Sequence, residues 1–442
     1  MIITRRRFLK GCAVAALWGG TPILSGCGDD LYASDQPQAA EGAAYPPAYP
    51  TEFELRNDLG TAPDAQGAPG LSGTLARFGH ITDTHITLDE YTVTGNPALE
   101  SLLDSLGGSI GFGGLDRPLP QERYDVDVLQ AVLQTMNAIY PPLDAVLHTG
   151  DALDIGVGQE AEAFLREFQR CAIPVAQCVG NHDTLALGNI RPVTAKKISA
   201  LDFLDTQGFL FRHFLRIHRP TLTAFGSLAM GFDFCPGFDG DPSAAKSYYA
   251  FNIKVPLRDS QGGLASPGIR CYTLDTANPA GGADGALDED QRSWFSADLD
   301  AHPDSLCLVM CHHPVNRIGK GRDDFVAILY NHPQVIAVLC GHDHRHRIRA
   351  FSIAGSAERG FWQIETGSLI DYPQQARFLE VTNLGDGTGR IRTYVFNQNA
   401  TGPLGENARA AFESAEKEAY PGMGDPSDRN VDLLFQFPAF LP

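Results

Sequence analysis

The chain predicts an α/β fold on three observations. Short apolar runs of strand length end in polar clusters, amphipathic helical segments lie between them, and a pair of alternating runs around a Gly-rich turn stands near the end. The strand-like runs are LARFGHITDTH (75–85), LDAVLHTGD (143–151), IPVAQCVGNHD (173–183), IRCYTLDT (269–276), SLCLVMCHHP (305–314), QVIAVLCGHDH (334–344) and GFWQIETGS (360–368). Each is rich in β-branched or apolar residues and is bounded by turn formers. In 125–139, Val128, Leu129, Val132, Leu133, Met136 and Ile139 fall on one helical face. The segment DEDQRSWFSADL (288–299) reads as a capped surface helix that turns Trp294 and Leu299 inward. FLEVTNLGDGTGRIRTYVF (378–396) reads as a hairpin.

Composition narrows the function classes. Hydrophobic residues make up 43% of the 442-residue chain, enough to bury a sizeable core. Acidic residues exceed basic ones, 53 against 34, for a net charge of −19. Arg5, Arg6, Arg7 and Lys10 precede Cys27 and no acidic residue does, so without that segment 30 basic residues face 53 acidic ones, or −23. Such a field repels polyphosphate backbones and argues against nucleic acid as a partner.

The N-terminus reads as a targeting segment over 1–26. TRRRFLK (4–10) resembles a twin-arginine export signal, and Leu24-Ser25-Gly26-Cys27 resembles a lipoprotein cleavage box. The expectation is an exported chain, periplasmic or in the cell envelope, that engages the export machinery and is held to a membrane only by lipid on Cys27. Residues 27–74 are Ala-, Pro- and Gly-rich and read as a flexible tether on which Phe53 and Leu55 are candidates for packing on the domain. A catalytic domain is expected over 75–400, with insertions at about 86–124 and 184–246, the second a lid or subdomain, and a C-terminal extension over 401–442. The stretch FLFRHFLRIHRP (209–220) has two readings, a basic lid helix over an anionic substrate or the solvated face of a packed helix. Nine cysteines without a CxxC pair read mostly as buried thiols.

The polar clusters stand at strand ends, where open α/β sheets bind ligands. They are Asp83-Thr84-His85, Gly150-Asp151, Gly180-Asn181-His182-Asp183, His312-His313-Pro314 and Gly341-His342-Asp343-His344. Imidazole, carboxylate and amide oxygen suit Mn, Fe or Zn. A carboxylate can bridge two ions roughly 3.5–4 Å apart. His80 and His148 read as core or as neighbours of ligands, His313 and His346 as facing away from the ligand side, and His302 and His332 as surface.

These five blocks in this order resemble the calcineurin-like metallophosphoesterase family over about 75–400. The resemblance implies a four-layer α/β/β/α sandwich, two divalent metal ions, and hydrolysis of a phosphate monoester or diester of a small molecule by a hydroxide shared between the ions. It implies Asp83, His85 and His344 on one metal, Asn181, His312 and His342 on the other, and Asp151 as the bridge. His182 becomes the acid or charge stabiliser at the leaving oxygen, and Asp154 the residue that orients it. Asp154 stands where purple acid phosphatases carry tyrosine, and Ile155 and Asp183 depart from the protein phosphatases. LDT (274–276), Gln291, Trp294 and HHP are nearer the bacterial cyclic-nucleotide phosphodiesterase branch. The alternative is a non-catalytic binding or scaffold protein on the same fold. Such members have lost ligands, and every ligand is present here.

Overall fold

The structure, a computed structural model, describes residues 49–60, 73–86, 125–154, 158–168, 170–183, 247–278, 282–353, 356–371, 373–385, 387–398 and 421–438, with a few positions outside these runs. The proposed targeting segment, Cys27, most of both insertions and the basic stretch 209–220 lie outside the described residues.

Two seven-stranded sheets carry the fold. The first runs β1 (Glu54–Leu59), β18 (Val431–Gln436), β17 (Thr388–Asn397), β16 (Gln375–Asn383), β2 (Gly73–Ile81), β3 (Ala145–His148), β4 (Val175–Gln177). The second runs β14 (Arg347–Ile353), β15 (Ser356–Glu365), β13 (Val335–Cys340), β11 (Ser305–Met310), β9 (Gly268–Thr273), β6 (Tyr249–Lys254), β5 (Phe232–Asp233). Two small pairs are the remaining strands among the described residues, β7 (Leu257–Arg258) with β8 (Leu264–Ser266) and β10 (Gly285–Ala286) with β12 (Ile318–Lys320). Among the described residues the α-helices named by range are α1 (Asp125–Asn137), α2 (Gly158–Phe168), α3 (Glu289–Ala301) and α4 (Arg322–Asn331).

Each sheet has a parallel run, β2–β3–β4 at one edge of the first and β9–β11–β13–β15 in the centre of the second. Parallel strands covered on both faces read as continuous apolar runs, and SLCLVM and VIAVLC are buried at every position. Alternation along β11 divides it between two layers. Leu306, Leu308 and Met310 share a core with Phe78, Val146 and Val175 of the first sheet and with Val132 and Phe164 of α1 and α2. Cys307 and Val309 share a second core with Phe295 and Leu299 of α3 and Phe325 and Leu329 of α4. The result is the expected α/β/β/α layering. Trp362 Nε1 donates to the Leu434 carbonyl at 2.9 Å and so links a strand of one sheet to a strand of the other.

The local expectations are met by specific contacts. Asp288 caps α3 by accepting from the Gln291 amide at 2.7 Å. The expected hairpin is β16–β17, with Phe378 opposite Tyr394. Cys178, Cys271, Cys307, Cys311 and Cys340 are free and buried. Among the described residues no helix is long and apolar enough to cross a membrane.

The stretch read as a tether includes a strand. Residues 54–59 form β1, parallel to β18. Tyr49 and Phe53 pack on Tyr394 with centroids 5.3 and 6.4 Å away, and the Arg392 guanidinium lies over Phe53. Strand β18 in turn comes from the expected C-terminal extension. The first sheet is therefore completed by segments on both sides of the expected 75–400 domain.

Candidate metal centre

Each cluster follows a strand, and the loops are stitched by backbone bonds. The Asp83 amide donates to the Gly150 carbonyl (3.0 Å), His85 to Asp151 (3.1 Å) and Gly341 to His312 (3.0 Å). Among the described residues six non-glycine positions have positive φ, and five are Asp83, His85, Asp151, His342 and His344. That conformation costs energy for a residue with a Cβ and persists where surrounding contacts impose it, which is common at functional sites. Two glycines allow the close approach. A Cβ on Gly180 would collide with Asp151 Oδ1, and one on Gly341 with Thr82 Oγ1 and Asp83 Oδ2.

The side chains form overlapping donor groups whose atoms lie within 4.8 Å of one another, among them Asp83–His85–His344 and Asp83–Asp151–His312. Asp83 Oδ1 is 3.2 Å from His344 Nε2 and 3.8 Å from His85 Nε2. Asp151 Oδ2 is 3.0 Å from His312 Nε2 and 3.8 Å from His85 Nε2, so it lies between the two histidine groups. Its Oδ1 accepts from the His182 amide at 2.8 Å. Asn181, next along the chain, is buried.

The hydrogen bonds behind the rings test whether these residues fit a metal. His85 Nδ1 donates to Asp154 Oδ1 (3.3 Å), His312 Nδ1 to the Thr149 carbonyl (2.9 Å) and His344 Nδ1 to Asp371 Oδ2. These bonds leave each Nε2 as the inward atom, the arrangement of metal-bound imidazoles. His85 Nε2 then faces His344 Nε2 at 3.3 Å, and His312 Nε2 faces His342 Nδ1 at 3.2 Å. Two ring nitrogens that close cannot both carry a proton without repulsion, whereas a divalent ion accepts both lone pairs. Asp83 Oδ1 is buried and accepts no hydrogen bond, which suits the same role. The donor set fits divalent metal ions.

Burial disfavours charge on His85, His312 and His344, but their carboxylate neighbours outweigh it and raise them to about 9, 9 and 10. Burial alone would raise Asp83 and Asp151, yet the adjacent imidazoles hold both well below the usual carboxylate range. Burial lowers His182 to about 4 against the pull of Asp151, and burial with the charge of His312 lowers His342 to about 4.

Residues 76–346 match the family described as calcineurin-like phosphoesterase. The chain belongs to that family. It is similar to a probable glycerophosphodiester phosphodiesterase of Arcobacter nitrofigilis, 33% identical over 233 residues, which cover 50% of this chain and 64% of that relative, less than two thirds of its length. It is also similar to a probable cyclic nucleotide phosphodiesterase of Moraxella catarrhalis, 20% identical over 58% of this chain and 80% of the relative. Solved structures with a likeness include a dimetal phosphatase from Danio rerio, with TM-score 0.47 and 15% identity over 74% of this chain and 97% of the other. Another is a purple acid phosphatase from yellow lupin, with TM-score 0.41 and 12% identity over 84% and 55%.

Around the metallophosphoesterase donors, several residues take roles their motifs did not specify. His182 Nδ1 donates to the backbone carbonyl of Asp154 at 2.8 Å, while the Asp154 carboxylate is 3.9 Å from that nitrogen and bonds His85 instead. His313 does not face away. Its ring lies 4.4 Å from that of His342, but Nδ1 is taken by Thr276 Oγ1 (2.8 Å) and Nε2 by the Ala283 carbonyl (3.1 Å), which leaves no lone pair for an ion. His332 is buried against expectation because its Nδ1 caps the Ile328 carbonyl at 2.7 Å. Asp183 accepts from the Leu153 and Gly180 amides at 2.9 Å each, and burial with the charge of Asp151 raises it to about 7. Asp371 lies outside every motif, so no sequence signal marks it.

Proposed function

We propose that this chain hydrolyses a phosphate ester at a dinuclear centre, with Asp83, His85 and His344 on one divalent ion, Asn181, His312 and His342 on the other, and Asp151 shared. The convergence of imidazole lone pairs on two buried carboxylates, with a protonated second nitrogen held behind three of the rings, carries this reading. When bound, two such ions neutralise phosphoryl oxygens and bring the pKa of a water toward neutrality.

The chain's own residues supply the rest. The amide of His182 and the backbone of Gly180 close on Asp151 and fix the shared carboxylate. The Asp154 carbonyl holds His182 through Nδ1, which leaves Nε2 for the leaving oxygen. A buried neutral imidazole gains basicity when an anionic ester lies beside it, and can then hold the proton that the departing alkoxide requires. The phosphodiesterase descriptions of both relatives favour a diester as substrate. Export on the twin-arginine signal and lipid attachment at Cys27 belong to the same reading and are supported by the sequence at 4–10 and 24–27. Arg5→Lys with Arg6→Lys then strands the protein in the cytoplasm, seen by cell fractionation.

The deciding experiment loads purified protein with Mn and compares bis(4-nitrophenyl) phosphate with 4-nitrophenyl phosphate, with metal content measured in parallel. Two Mn per chain and turnover of the diester are expected. A chain that binds metal but turns over neither ester is a binding protein on this fold, and the catalytic reading fails.

A further inference from the structure

We propose that Asp371 is a positioning residue of the metal centre, which holds the His344 ring from behind so that Nε2 stays aimed at the ion; this rests on the dinuclear reading above. The loop 366–371 leaves the end of β15 and carries none of the five motif blocks. It docks on the backbone of another ligand, since the amides of Leu369 and Ile370 both donate to the Asp83 carbonyl at 3.2 Å. Ser368 Oγ then accepts from the Ile370 amide (3.1 Å) and the Asp371 amide (2.9 Å), which fixes the turn. From that turn Asp371 Oδ2 accepts the Nδ1 proton of His344. One short loop therefore holds the main chain of Asp83 and the imidazole of His344, whose Nε2 is 3.2 Å from Asp83 Oδ1.

The contact differs from an ordinary surface ion pair. Both side chains are about one-fifth exposed, at 20% and 19%, and the opposite nitrogen of the ring faces the donor cluster. His344 is further constrained at its backbone, with φ of 52°. A ring fixed at Cα by the loop and at Nδ1 by a carboxylate has little freedom about its side-chain torsions. The carboxylate also makes the imidazole a stronger donor to a cation. His85 is backed in the same manner by Asp154, so two rings of the Asp83 group carry a carboxylate behind them.

The test titrates Mn(II) calorimetrically into chelated full-length protein: wild type, Asp371→Asn and Asp371→Ala. Asn is isosteric and keeps an oxygen acceptor without charge, while Ala removes both, so the two separate charge from geometry. One Mn equivalent is expected to weaken by about 10- to 100-fold, the usual loss for a partner behind a ligand, and Ala more than Asn. The other equivalent keeps its affinity. Melting temperature of the chelated protein reports on the fold. Wild-type affinity in both variants overturns the proposal, as does an equal weakening of both equivalents in step with a lowered melting temperature. A wild-type chain that binds no Mn overturns the dinuclear reading together with this one.

Discussion

The two halves of Asp154 serve different histidines, and removal of only one half separates their roles. Asp154→Ala deletes the carboxylate that accepts from His85 Nδ1 at 3.3 Å but leaves the carbonyl that accepts from His182 Nδ1 at 2.8 Å. A hydrogen bond to a charged group contributes roughly 1.5–3 kcal/mol. At about 1.4 kcal/mol per factor of ten, that is on the order of 10- to 100-fold in affinity for the ion that His85 holds. The carboxylate is one-quarter exposed, so solvent screening places the effect toward the lower end. The assay is turnover against Mn concentration for a substrate with a nitrophenolate leaving group and one with an alkoxide leaving group. Excess Mn restores Asp154→Ala on both substrates, because the defect is in occupancy. His182→Ala instead keeps its metals and loses about 10²–10⁴ in rate, the range for a missing general acid, and loses least on nitrophenolate. If Asp154→Ala binds Mn like wild type yet fails selectively on the alkoxide, the carboxylate orients His182, as the sequence suggested, and the inference from the 3.9 Å separation is wrong.

Asp151→Asn removes the charge shared by both donor groups, so metal analysis shows both equivalents depleted and turnover abolished. The chelated protein should be most stable near pH 6.5, measured by thermal melts across pH. His85, His312 and His344 have folded pKa values raised to about 9–10, so their contribution is full below about 6.5 and lost as pH rises through 9–10. His148, His182 and His342 are lowered to about 3–4, so stability also falls as pH drops from about 6.5 through that range. Saturating Mn removes the alkaline loss, because the ions replace those protons, and a melting profile unchanged by Mn at pH 9 would falsify that assignment. Trp362→Phe leaves the buried Leu434 carbonyl without its donor and lowers stability by about 1–3 kcal/mol in urea unfolding, with no change in Mn affinity.

The layers were legible in the sequence, and so were the polar clusters that the fold brings together. Apolar runs of strand length reflect burial on both faces, which is a property of contiguous residues, and helix periodicity is equally local. Metal-ligating chemistry is drawn from few residue types, so the five polar clusters at strand ends stand out before any coordinate is known, and the family resemblance proposes Asp83, His85, Asp151, Asn181, His312, His342 and His344 among them as ligands. Tertiary structure decided who holds whom. Asp371 meets His344 across 27 residues, Asp154 meets His85 across 69, and β1 meets β18 from opposite ends of the sheet-forming chain. No spacing rule encodes such pairs. They depend on ring directions set by backbone at positive φ, a conformation a non-glycine residue keeps only where packed neighbours compel it. The same cause separates the carbonyl of Asp154 from its carboxylate. A one-letter code names the residue, and only the folded loop determines which of its oxygens each histidine reaches.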